Sequence, residues 1–300
     1  MIELAGLTKE YGTRIAVDDL TVTVHPGRVT GFLGPNGSGK TTTMRCVLGL
    51  ARPTSGTATV LGQPYRALAD PMRRVGALID PRALHPGRTA YRHLLALAQS
   101  NGLPGARVDE VIELVGLESV ADDRVRGFSL GMNQRLGIAA ALLGDPDVLL
   151  LDEPVNGLDP EGIRWVRELL RDLADEGRTV LVSSHLMSEM EDTADHLVVL
   201  GRGRLLADVP MAELLGAHSA VRVRTPQGPT LADALRRAGG RVELEIDGAL
   251  RIEGLDLTEV GDVAFVADVR LHELSRVTAS LEAAYLALTD DDVEYRAVTP

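Results

Sequence analysis

In the first 84 residues, apolar positions come in short β-rich runs separated by turn residues: Ile2 to Leu7, Leu20 to Val24, Val29 to Leu33, Thr57 to Leu61 and Val75 to Ile79. Runs of this length and composition predict strands. Between about Thr89 and Gly144 the period changes. Leu94, Leu95, Leu97 and Ala98, then Val111, Leu114 and Val115, then Leu136, Ile138, Ala139 and Leu142 recur at three-to-four spacing, which predicts an all-helical insertion over about 85–144. Strand character returns at Val148 to Leu151, Thr179 to Ser183 and His196 to Leu200, with helices between them starting near Pro160 and Met187. Continuous apolar strands alternating with helices imply an α/β domain whose parallel sheet is covered on both faces.

After a helix near Met211 to Leu215 the pattern changes again. Val221 to Thr225, Arg241 to Ile246, Leu250 to Ile252 and Val263 to Val269 read as short strands, with helices around Leu231 to Ala238 and Leu271 to Leu288. The last helix would carry Leu271, Leu274, Val277, Leu281, Tyr285 and Leu288 on one stripe. These residues, 216–300, form a predicted small α+β domain, ending in a solvated acidic run, Asp290-Asp291-Asp292.

With 300 residues, 45% hydrophobic and 25% charged, the chain can bury a large core. Nothing approaches the roughly 20 consecutive apolar residues that cross a bilayer, and the start lacks the basic-then-apolar pattern of a secretion signal. The expectation is a soluble cytoplasmic protein, and a single cysteine, Cys46, fits a reducing compartment. The net charge of −12 argues against a surface for nucleic acid, and residues 216–300 are also acidic, with 9 basic and 15 acidic side chains.

The candidate chemistry begins where the strand Val29 to Leu33 meets Gly34-Pro35-Asn36-Gly37-Ser38-Gly39-Lys40-Thr41-Thr42 and then a helical stretch to about Leu50. Gly34, Gly39, Lys40 and Thr41 satisfy the phosphate-loop pattern G-x-x-x-x-G-K-[ST]. In it, backbone N–H groups wrap phosphates, the lysine reaches the outer ones and the hydroxyl holds magnesium. Only Lys9 and Lys40 are lysines among 31 basic residues, so a lysine stands where a compact, flexible point charge is wanted. The second element is the apolar strand Val148 to Leu151 followed by Asp152-Glu153. Paired with a phosphate loop, Asp152 is placed to hold magnesium through water and Glu153 to polarise the water that attacks the γ-phosphate.

Over residues 1 to about 215 these motifs resemble the ABC ATPase family. The resemblance rests on a signature-like segment in the helical insertion, Phe128-Ser129-Leu130-Gly131-Met132, followed by Asn133-Gln134-Arg135. It implies a P-loop NTPase of α/β class with a mixed sheet core and a helical subdomain, to which residues 216–300 add the small C-terminal α+β domain. It also implies that ATP and Mg²⁺ are the cofactors, and that Ser129, Gly131 and Met132 face the γ-phosphate held by a second copy. The usual signature reads L-S-G-G-Q, so Leu130 and Met132 depart from it. By the same resemblance, Tyr11 stacks on adenine, Asp159 in Asn156-Gly157-Leu158-Asp159 lies in a loop that crosses a dimer interface, and His185 senses the γ-phosphate. Asp80 stands where the family commonly has a glutamine that binds magnesium and contacts a membrane subunit.

The resemblance therefore implies the ATP-hydrolysing subunit of a transporter, working as a homodimer beneath a separate transmembrane permease on the inner face of the membrane. An acid at position 80, together with Ser129-x-Gly131-Met132-x-Gln134-Arg135 and the tail Ser280 to Leu286, is similar to the antibiotic and bacitracin-type exporter branch. The alternative is a soluble ABC protein acting on nucleic acid, ribosomes or cofactor assembly. Such relatives carry long coiled coils or two cassettes with a basic linker, and this chain has neither. A small GTPase is excluded because no lysine follows an asparagine, as the N-K-x-D element requires.

Overall fold

The computed structural model describes residues 1–217, 219–277 and 280–289, in two units, Met1–Pro210 and a second beginning at Met211. In the first unit, β1 (Ile2–Tyr11) and β2 (Arg14–Val24) form a hairpin, followed by β3 (Arg28–Leu33), α1 (Lys40–Val47), β4 (Ser55–Val60), α2 (Pro71–Arg74) and β5 (Val75–Leu78). The helical insertion contains α3 (Ala90–Ser100), α4 (Ala106–Leu114) and α5 (Leu130–Leu142). Then come β6 (Val148–Asp152), α6 (Pro160–Asp175), β7 (Thr179–Ser184), α7 (Met187–Thr193), β8 (His196–Gly201) and β9 (Arg204–Pro210).

A six-stranded sheet has the order β5-β6-β7-β3-β8-β9. The first five strands are parallel, and β9 closes the edge antiparallel to β8. The strands β6, β7 and β8 are buried along their whole length, as the unbroken apolar runs require when both faces are covered. A separate antiparallel sheet, β2-β1-β4, shares a core with them: Leu7, Leu20 and Val22 meet Phe32, Met44, Leu150 and Val198. This arrangement brings the carboxyl ends of β3, β6 and β7 to one edge, beside the start of α1. The strand β9 was not among the predicted elements; its residues are half-exposed, so the apolar signal is weak there.

The second unit contains α8 (Met211–Ala217), β10 (Ala220–Arg224), α9 (Gly228–Arg237), β11 (Arg241–Leu244), β12 (Leu250–Glu253), α10 (Leu257–Val266), β13 (Glu273–Val277) and α11 (Leu281–Thr289). The sheet order β11-β12-β10-β13, antiparallel throughout, with one helix after β10 and one after β12, is the split β-α-β arrangement of ferredoxin-like folds. Helix α8 belongs to this unit, where it packs with α11, so the division falls at Pro210/Met211 rather than at 215/216.

Two predicted elements here are corrected. Val263 to Val269 is not a strand: Asp256 and Glu259 form a reciprocal capping box that starts α10, and the helix runs through Val266. Leu271 to Leu288 is not one helix. Glu273–Val277 pairs with β10, placing Leu274 beside Val223 on the apolar side, and α11 starts only at Leu281. The spacing of Leu271, Leu274 and Val277 fits a helical stripe as well as it fits this strand, and cross-strand pairing decides between them. On this sheet Arg222 donates to Glu245 and Glu273, each at 2.8 Å, and those carboxylates explain why a charged residue sits mid-strand. The acidic run at 290–292 lies outside the described residues.

Candidate functional site

The site begins with a helix that lacks the usual N-cap. Helix α1 has no side-chain cap and no acidic residue in its first turn, so its leading N–H groups are left for an anion. The loop before it demands glycine at two points. A Cβ on Gly39, whose φ is 106°, would lie 2.6 Å from the Ala16 carbonyl, and one on Gly34 would lie 2.4 Å from the Leu200 carbonyl. Lys40, nearly buried, donates from Nζ to the Gly34 carbonyl at 2.6 Å and to the Pro35 carbonyl at 3.3 Å. Burial pushes its pKa below the ordinary value, and the Glu153 and Asp152 carboxylates pull it partly back. The Ser38 hydroxyl is buried and has no partner. A cradle that a Cβ would fill, an orphaned buried hydroxyl and a desolvated cation all fit a triphosphate.

Tyr11, Arg14, Asn36, Gly37, Thr42 and Glu153 line the rest of this cleft, whose volume is about 480 Å³. Tyr11 is half-exposed at the hairpin end, with the Lys9 ammonium 4.7 Å from its ring centroid. The tyrosine is thus open to a base.

The acidic side is built at the carboxyl ends of β6 and β7. Asp152 is buried and accepts hydrogen bonds from both Thr41 Oγ1 and Ser183 Oγ, which ties the phosphate-loop helix to two strands. The next residue, Glu153, has a left-handed φ of 52°. Its N–H is held by the Ser183 carbonyl at 3.2 Å and Ser183 Oγ at 3.1 Å, and its own carbonyl accepts from Gln134 Nε2 at 2.8 Å. Its carboxylate meets His185 Nδ1 at 2.7 Å. Asp80 lines an adjoining cavity with Asp152, Glu153 and Asn156, and its Oδ1 accepts from the Arg82 N–H at 2.8 Å.

No group of three or more His, Cys, Asp or Glu side chains arranged to hold a metal occurs among the described residues. The neighbouring oxygens of Thr41 and Asp152 nonetheless fit Mg²⁺, which takes one or two protein oxygens and completes its shell with water and substrate phosphates.

The signature segment opens α5. Ser129 Oγ accepts from the Met132 N–H at 3.2 Å as N-cap, and its O–H remains available to donate. A Cβ on Gly131 would stand 3.0 Å from the Gly157 carbonyl, so this segment abuts the loop that follows Glu153 in the same chain. Asp159 caps α6 by accepting from the Gly162 N–H at 3.0 Å.

Tyr11, residues 34–42, Asp152, Glu153 and His185 therefore gather around one cleft, while Ser129, Gly131, Met132 and Asp159 sit at the starts of α5 and α6, beside the loop that follows Glu153. The sequence pattern names Gln134 but gives no sign of its bond to the Glu153 carbonyl, nor of the Ser183 bond to Asp152, since both are non-local; Arg14 is a further lining residue, which the two-residue hairpin turn at Gly12-Thr13 could have placed opposite Tyr11.

A family model described as ABC transporter matches residues 17–156, and one described as a domain of unknown function, DUF8746, matches residues 219–282. Over 98% of this chain and 97% of its own length, the uncharacterized ABC transporter ATP-binding protein YhcH of Bacillus subtilis is 37% identical. The chain belongs to the ABC transporter ATP-binding family. Within that family it resembles the bacitracin transport ATP-binding protein BcrA of Bacillus licheniformis, 43% identical over 71% of each chain. A solved structure described as dimeric, that of the bacterial ABC transporter cassette MJ0796, superposes with a TM-score of 0.63. It is 25% identical and covers 70% of this chain and 99% of its own. As an ATP-binding subunit of an ABC transporter, the chain is an ATPase that energises transport, and the nucleic-acid alternative is set aside. No helix among the described residues is long and apolar enough to cross a membrane.

Proposed function

We propose that this subunit powers export of a drug- or antibiotic-like compound, working as a pair of copies beneath a separate permease that holds it at the inner face of the membrane. The observation that carries the mechanism is the meeting of Glu153 and His185, from the ends of two strands, at 2.7 Å beside the phosphate loop. Tyr11 stacks on the base. The amides of residues 34–42 and Lys40 grip the phosphates, and the Ser129, Gly131 and Met132 segment of the second copy caps the γ-phosphate. Glu153 takes the proton of the attacking water, and His185 orients both. Thr41, Asp152 and Asp80 would hold Mg²⁺, which neutralises charge on the phosphates when bound. Asp159 approaches the second copy across the interface, and the Asp80 region reports nucleotide to the permease. The branch is supported by similarity to BcrA and by the acid at position 80.

The test is Glu153→Gln. With MgATP this variant should bind nucleotide and elute as a dimer, but hydrolyse at least about a hundredfold more slowly than wild type. Wild-type turnover would remove Glu153 from its role. A strictly monomeric, ATP-loaded variant at high concentration would remove the paired mechanism. Co-purification with a permease of about six apolar spans, from a strain carrying the neighbouring genes, tests the membrane partner.

A further inference from the structure

The nucleotide cleft holds a second cation that no motif assigns. In the hairpin β1–β2, Arg14 is the direct cross-strand partner of Tyr11. Residues paired in this way present their side chains on the same face, so the strand register that aims the Tyr11 ring at the cleft also aims Arg14. The structure bears this out. Arg14 lines the same cleft as Tyr11 and Lys40, and its Nη2 lies 3.3 Å from where a Cβ on Gly37 would stand, directly on the phosphate loop.

The other charged groups around this site are occupied. Lys40 is bonded to two carbonyls, the Lys9 ammonium sits over the Tyr11 ring, and the Glu153 carboxylate meets His185. The Arg14 guanidinium, by contrast, has no hydrogen-bond or ion-pair partner among the described residues. An unpaired guanidinium on the rim of a phosphate loop gains nothing in the empty protein. It is a planar donor suited to phosphate oxygens.

We infer that Arg14 is a binding residue for the phosphate tail of the nucleotide, contacting phosphate oxygens over Gly37 while Tyr11 takes the base. This rests on the proposed reading of the cleft as the ATP site. The hairpin end then reads both ends of the nucleotide, ring and tail, through one pair of facing residues. Because Arg14 is exposed, the contact is screened, and its contribution should be modest and salt-dependent.

The full chain is titrated with MgATP, with tripolyphosphate (the tail without the base) and with adenosine (the base without the tail), the last two by competition. Arg14→Gln should weaken MgATP and tripolyphosphate by a similar factor, roughly three- to tenfold at low salt. It should leave adenosine unchanged, and the loss should shrink at high salt. Arg14→Lys should recover most of it. The unfolding midpoint without nucleotide should match wild type in both variants. Unchanged MgATP affinity in Arg14→Gln, or an adenosine loss as large as the ATP loss, overturns the inference. Lys40→Ala separates this from the underlying reading: if it binds MgATP as tightly as wild type, the cleft itself is misassigned, whatever Arg14 does.

Discussion

Glu153 combines an unfavourable backbone with the chemical role proposed above, and the two can be pulled apart. Its φ of 52° lies in the left-handed region, which costs a residue with a Cβ about 1–2 kcal/mol. Glycine escapes that cost but gives the unfolded chain extra freedom, worth about 0.4–1 kcal/mol. Both Glu153→Gly and Glu153→Ala lose the carboxylate that meets His185 and both keep the backbone bonds to Ser183 and Gln134, so those contributions cancel between them. The glycine variant should therefore be the more stable by about 0.5–1 kcal/mol. Urea unfolding followed by the fluorescence of Trp165, the one tryptophan, in helix α6, reads the first unit directly. Hydrolysis should fall in both by about a hundredfold or more. An alanine variant as stable as the glycine variant would refute the claim that strain is stored at this residue.

Other consequences can be checked as readily. Burial lowers the Lys40 pKa, so between that value and 10.5 the unfolded chain holds a proton that the folded chain has lost. Without nucleotide, stability should rise with pH through this window, and Lys40→Met should flatten the rise in thermal melts. His93, buried in α3 with an unpartnered Nδ1, has its pKa lowered by burial and then by Arg88 and His85. As pH falls from 6.5 toward that lower value the unfolded chain gains protons first, so stability should drop. The stability advantage of His93→Leu over wild type should grow from pH 7.5 to 5.5. Asp256→Ala removes one half of the α10 capping box and should cost the second unit about 1 kcal/mol in a urea titration. An unchanged midpoint would mean that packing alone starts α10.

Much of the site could be read from the chain because its key residues are bound to local geometry. Gly34, Gly39 and Lys40 are contiguous, the loop needs missing Cβ atoms, and a strand must precede it and a helix follow. Asp152 and Glu153 were legible because an apolar strand ends abruptly in two acids. What was not legible depends on contacts between distant segments. Ser183 binding Asp152, Gln134 holding the Glu153 carbonyl and the Gly131–Gly157 approach leave no periodic trace. The second unit shows the same limit. Leu271, Leu274 and Val277 satisfy two periodicities at once, and only pairing with β10 makes the segment a strand. The capping pair Asp256 and Glu259 was a readable signal for α10 that apolar Val263 to Val269 concealed.

Helix α5, thirteen residues long, is capped by Ser129 and also donates from Gln134 to the carbonyl of Glu153. A change in the tilt of that helix would act on one of the bonds that hold the Glu153 backbone. The position of the helix and the backbone of residue 153 are thus joined through a single side chain, that of Gln134.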